Sequence, residues 1–148
     1  MATPIVNSIE ISRRPEDVFT YVTEPTHLPK WQENVVKVEG QAPYTVGSKV
    51  LVTRRVGRME REMTSEIAAL NPPSSWMIRG VDGPIRGNVQ GSVEPLGDGE
   101  RSQVTIALDL EGHGLGKLLL PLIVRRQVEK EMPKNMENLK ALLEKANP

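Results

Sequence analysis

Residues 115–146 read LGKLLLPLIVRRQVEKEMPKNMENLKALLEKA, and few folds are open to a chain that ends this way. Leu120, Val124, Val128, Met132, Met136, Leu139 and Leu143 recur at steps of three and four, which lines them along one face of an α-helix. Arg125, Arg126, Glu129, Lys130, Lys134, Glu137, Lys140 and Glu144 occupy the other face. A single long helix of this kind is marginal alone and requires a surface for its apolar stripe. Everything before residue 112 patterns as strands and short helices, so that surface is expected to be a sheet. Pro121 fits the start of the regular segment, where a missing N–H costs nothing. Pro133 falls in mid-pattern and predicts a kink or break near Met132.

Upstream, the periodicity changes from helical to alternating. Residues 5–11 put Ile5, Ile9 and Ile11 on one side and Glu10 on the other, a strand by period. Pro15, Glu16 and Asp17 open a helix, with proline in the first turn and acids at the positive end of its dipole. Pro25 stops that helix. A second short helix is expected over 26–31, then a strand over 34–39. Gly57-Arg58 reads as a two-residue hairpin turn. Pairing about it sets Val56 against Met59, Arg54 against Arg61, Val52 against Met63 and Val50 against Ser65. The strand continues through Ile67 and Ala69, and after a turn at 71–74 Trp76 and Ile78 return facing Ala69 and Ile67. Further turns at 82–84 and 97–99 place Val93 against Val104 and Val89 against Leu108. Gly80, Gly87 and Gly91 share the inner face, where glycines let a sheet bend and leave volume unfilled. The result is an antiparallel sheet with one apolar and one polar face, closed by the terminal helix.

At 148 residues the chain is expected to form a single domain, 1–148. Lys+Arg and Asp+Glu both total 19, and aromatics are 3% of the residues, which argues against a nucleic-acid partner. The absence of cysteine excludes disulfides, thiol nucleophiles and thiolate metal sites. The two histidines, His27 and His113, are far apart, so no metal and no cofactor is expected. No apolar run reaches membrane-spanning length and no signal-peptide pattern opens the chain, so the expectation is a cytoplasmic protein, monomer or homodimer.

The first strand, the stretch RRPEDVFTYVTEPTHLPKWQENVVKVEG, the VGSKV strand start and the tail EPLGDGERSQVTIALDLEGHGLGKLLLPL together resemble the SRPBCC or START-like superfamily. Within it the chain is most similar to the polyketide cyclase/dehydrase and lipid-transport type. The resemblance implies the α+β helix-grip fold: a curved seven-stranded antiparallel sheet around a long C-terminal helix, two short helices after strand 1, and a hydrophobic cavity between. Trp31 and Gly47 match positions where that family commonly carries Trp and Gly, both in structural roles. Members include lipid carriers, hormone and coenzyme-Q binders, aromatic cyclases and hydrolytic enzymes, with no invariant catalytic set. The resemblance therefore carries no catalytic residue onto this chain.

Among individual residues, Arg54 and Arg61 stand out because the register opposes two like charges on an otherwise apolar face. Such a pair is destabilising unless something negative lies between them or both reach water. A ligand carboxylate or phosphate suits the planar fork of arginine. His27 and His113 read as structural or hinge residues, and Asp17 and Glu16 as helix-start acids. The expected ligand-binding set is Arg54, Arg61, Met63, Trp76, Ile78, Val89, Leu108, Val128, Met132 and Met136, with methionines suited to irregular apolar ligands. The leading expectation is binding or transport of a small hydrophobic molecule, such as a lipid, fatty acid, terpenoid or polyketide-like compound, with an acidic head met by the arginines. A cyclase or dehydratase acting on a cavity-bound substrate is the enzymatic alternative. A protein-interaction module with a filled interior is the third.

Overall fold

The computed structural model describes residues 4–83, 85–112 and 120–145. Its elements run β1 (Ile5–Ile11), α1 (Pro15–Val22), a 3₁₀ turn (Pro25–His27), α2 (Leu28–Trp31), β2 (Val35–Glu39), β3 (Lys49–Val56), β4 (Met59–Asn71), β5 (Ser75–Gly80), β6 (Ile85–Leu96), β7 (Arg101–Gly112) and α3 (Leu120–Lys145). The strands form one seven-stranded sheet in the order β1-β7-β6-β5-β4-β3-β2, antiparallel throughout. Chain neighbours from β2 to β7 pair as a meander. The two short helices carry the chain from one edge of the sheet to the other, so β1 and β2 are its two edges. This is the helix-grip fold.

The β3–β4 register is the expected one: Val56 faces Met59, Arg54 faces Arg61, Val52 faces Met63 and Val50 faces Ser65. Gly57 begins the turn at φ 64°, a positive value that glycine adopts without a Cβ clash and that suits the first central position of a two-residue hairpin. Further along β4 the expectation fails by one residue. Ile67 pairs with Ile78, but a bulge follows, so Leu70 rather than Ala69 pairs with Trp76. Ala69 pairs with Met77 on the outer face. A bulge inserts one residue and exchanges the two faces beyond it, which strict alternation does not reveal.

The inner-face glycines do not leave empty volume. A Cβ on Gly91 would overlap the Trp76 ring, and one on Gly87 would press the Leu108 side chain. Gly80 and Gly87 bring their backbones together. Trp76 thus lies flat over Gly91, buried at 4% exposure, with Phe19 edge-on to its ring at 6.0 Å.

α3 runs unbroken for 26 residues with Pro133 inside it, so the expected break does not occur. Pro133 and Glu129 lie on the exposed side, where the Glu129 carbonyl that loses its donor can turn to water. Pro121 is the second residue of the helix, as its chemistry predicts. The proposed helical residues 115–119 and 146, and His113, lie outside the described residues. The C-terminal half of α3 is the anchored half. Met136, Leu139 and Leu143 are buried in a core with Ile11, Val18, Phe19, Trp31, Trp76, Val93, Val104 and Ile106. At its end Glu144 accepts from Ser12 N (2.9 Å), Arg13 Nη1 donates to Leu143 O (2.8 Å) and Lys140 Nζ donates to Glu10 O (2.7 Å). A smaller core of Val35, Val50 and Val52 lies at the β2 edge, and Leu28 packs against both cores.

Candidate functional site

Arg54 follows Val50 and Val52 in the inner row of β3, beyond the end of the small core. Alternation along the strand, with no bulge between these positions, turns its side chain inward. Its Nη1 donates to Gln32 Oε1 at 2.7 Å and to Asn34 Oδ1 at 3.2 Å, both from the segment linking α2 to β2. That segment is pinned to β3 by its backbone, through Arg55 N to Asn34 O at 2.7 Å. Burial pulls the Arg54 pKa down to about 10, and the Glu131 carboxylate on α3 pulls it back up. The guanidinium therefore stays charged at neutral pH, in partly desolvated surroundings. Both of its close partners are neutral amides. Nε and Nη2 make no hydrogen bond to the described residues and remain available as donors.

On α3, Gln127, Glu131 and Asn135 recur at four-residue spacing, and of these Glu131 acts on Arg54 through space. Gln127 Nε2 donates to Glu131 Oε1 (2.9 Å), which holds the carboxylate along the helix. Asn135, buried at 9% exposure, accepts from Glu33 N (3.4 Å), and Asn138 Nδ2 donates to Trp31 O (3.3 Å). Lys134 pairs with Glu33 at 3.4 Å. Residues 31–34 thus dock along one side of α3 while Arg54 reaches toward the same place from the sheet. The outcome is a polar junction beside an apolar interior.

The ten residues singled out from the sequence are not all alike in this structure. Arg54 and Arg61 are directly opposed, as the register required, yet Arg61 is exposed and makes no bond to the described residues, so the two do not form a matched clamp. Trp76 and Met136 are buried members of the main core, with Ile78, Val89 and Met132 packed against it. Met63, Leu108 and Val128 are half-buried. Met63, Ile78, Val89 and Leu108 occupy inner-face register positions and keep some solvent contact. Gln32, Asn34, Gln127 and Glu131 did not emerge from the sequence as site residues. The one available signal was the i, i+4 line of polar residues bordering the apolar stripe of α3. His27 has a structural role: its ring stacks on Tyr21 at 4.1 Å and its Nδ1 lies 2.9 Å from Tyr21 O. Among the described residues no three or more His, Cys, Asp or Glu side chains gather as metal ligands would. None of the described helices is long and apolar enough to cross a membrane.

A curved antiparallel sheet wrapped on a C-terminal helix, with a charged group set beside an apolar interior, defines a helix-grip protein of the SRPBCC type. The chain belongs to the polyketide cyclase / dehydrase and lipid transport family, whose model matches residues 3–144. No curated protein matches the sequence. Solved structures share the fold at low identity. A Thermus thermophilus protein, TTHA0849, superposes with a TM-score of 0.80 at 16% identity, over 98% of this chain and 99% of that one. The Zhui aromatase/cyclase from a Streptomyces species gives 0.80 at 12% identity, over 95% and 93%. Norcoclaurine synthase from Thalictrum flavum gives 0.73 at 16% identity, over 100% and 99%. The family description covers polyketide cyclases, dehydrases and lipid transport, and the likeness to these solved structures bears on the fold.

Proposed function

We propose that this protein binds a small hydrophobic molecule between its sheet and α3, with an oxygen-bearing, preferably anionic, head group on Arg54. The observation that carries this is the state of Arg54: charged, half-buried, fixed by Gln32 and Asn34 through one nitrogen, with no hydrogen bond from Nε or Nη2 to the described residues. A guanidinium held this way has already lost much of its hydration and is oriented before a ligand arrives. Glu131 balances part of the charge through space, which leaves both acids and strongly polarised carbonyls as fitting heads. The half-buried Met63, Leu108 and Val128 supply the apolar wall.

The test compares decanoic acid with its methyl ester by titration calorimetry. A charge-assisted hydrogen bond is worth about 1.5–3 kcal/mol, so Arg54→Met is expected to weaken the acid by roughly tenfold or more and the ester by far less. Arg61→Met, at an exposed position, is expected to change neither appreciably. Equal losses for acid and ester on Arg54→Met, or no loss for either, sink the assignment.

A second reading has its own support. Arg54 and Glu131 place a hydrogen-bond donor and a carboxylate near one site, and a neighbour in fold is an aromatase/cyclase. A cyclase-type reaction needs such groups at the reacting carbonyl. Incubation with a linear poly-β-ketone thioester, followed by mass spectrometry for loss of water, separates catalysis from binding alone.

A further inference from the structure

Among the described residues, two buried side-chain polar atoms lack a hydrogen-bond partner: Trp31 Nε1 and Asn88 Oδ1. They differ in kind. Asn88 stands on the outer sheet face, in an open groove with Met77, Arg79 and Arg86, and its amide can turn over to exchange oxygen and nitrogen. An indole has one nitrogen and it only donates, so turning the ring moves the N–H without removing the need for an acceptor. Trp31 is 4% exposed and belongs to the main core with Trp76, Met136 and Leu139. Its polar surroundings are otherwise satisfied. Its own carbonyl accepts from Asn138, Asn135 accepts from Glu33 N, and Gln32 and Asn34 both accept from Arg54. A phenylalanine would serve this core without a stranded donor, and nearly all buried donors in folded proteins are matched.

We infer that Trp31 Nε1 is a second recognition point, donating to an uncharged oxygen of the bound molecule, so that the ligand is a ketone, ester, ether or alcohol on its apolar body and not a pure hydrocarbon. This rests on the proposed binding of a hydrophobic molecule between sheet and helix, and it narrows the class of that molecule. Trp31 precedes Gln32, the residue that positions Arg54, so one short segment carries the buried N–H and orients the charged donor. Binding a hydrocarbon leaves the indole unmatched. Binding an oxygenated molecule of the same shape satisfies it.

The chain has two tryptophans, so a ¹H–¹⁵N spectrum contains two indole signals, and Trp76 serves as the reference. The probes are 2-octanone and 2-methyl-1-octene, which differ by oxygen in place of a terminal CH₂. With 2-octanone the Trp31 indole proton is expected to move downfield and its solvent exchange to slow. With the alkene it is expected to stay near its free position. In Trp31→Phe the affinity ratio of ketone to alkene is expected to fall by about tenfold relative to wild type, the size of one buried hydrogen bond gained or lost. The wild-type spectrum needs no substitution, so a poorly folded Trp31→Phe does not block the test. If both probes bind by calorimetry and move the Trp31 proton alike, or not at all, the inference is overturned while the proposed function stands. A Trp31 proton already downfield in the free protein and unmoved by ketone means an internal water holds it, which also overturns the inference. If neither probe binds, nor decanoic acid, the proposed function fails and the inference goes with it.

Discussion

Arg54 and Gly91 show how much a single position can be decided by what the chain brings to it from elsewhere. The opposition of Arg54 and Arg61 follows from counting back from the hairpin, and it holds in the structure. Their different fates do not follow from counting. Gln32 and Asn34 lie 22 and 20 residues before Arg54, and only the docking of residues 31–34 beside β3 and α3 gives one arginine partners and leaves the other in water. Register places Gly91 on the inner face opposite Trp76, where the indole is expected to cover it, and in the structure the ring does lie over Gly91. Gly91→Ala forces the Trp76 ring out of a core where it touches Phe19, and overpacking of this kind costs about 1–3 kcal/mol. Urea denaturation is the measurement. A variant as stable as wild type means that Trp76 has another place to lie.

At the scale of elements, what the sequence revealed was set by local chemistry, and what it concealed was set by contacts between elements. Strand limits, the hairpin register and the proline at the head of α1 all follow from alternation and turn residues. The bulge in β4 does not, because Ala68 and Ala69 carry no signal that one of them is extra. Pro133 predicts a kink or break by propensity alone, yet the helix continues through it, because the flanking turns of α3 are held by tertiary packing that outweighs one lost hydrogen bond. The end of that helix is fastened by Glu144, whose carboxyl is held below the usual glutamate range, first by the hydrogen bond from Lys140 and then by that from Ser12 N. A folded-state pKa below the unfolded value means that this contribution is present above about pH 4.3, the ordinary glutamate value, and is lost as pH falls through the folded one. The side chain is partly exposed, at 31%, so its worth is discounted to under about 1 kcal/mol. Glu144→Gln is therefore expected to lower the melting temperature slightly at pH 7 and by less at pH 3. An undiminished difference at pH 3 assigns the effect to packing and removes the charge from the account.

Across the whole molecule, stability and openness lie at opposite ends of the same helix. After Pro133, α3 buries Asn135, Met136, Leu139 and Leu143 and is tied to the β1–α1 corner through Glu144, Leu143 and Lys140. Before it, Val124, Val128 and Met132 are only half-buried and Ile123 is 61% exposed. Local opening costs least where few apolar contacts break, so the free energy of opening should rise along α3 from its N-terminal to its C-terminal half. The polar junction sits at the changeover, with Gln127 and Glu131 on the loose side and Asn135 on the tight side. A ligand lodged between Arg54 and Val128 would add contacts to the loose half and nothing to the tight one. Hydrogen exchange read by mass spectrometry is expected to show fast exchange over 123–131 and slow exchange over 136–144 in the free protein. Saturation with decanoic acid is expected to slow the first segment and leave the second unchanged, since anything that binds the closed form adds RT ln(1 + [L]/Kd) to the cost of opening it. Uniform protection along the helix before ligand is added, or equal slowing of both segments after, contradicts this division.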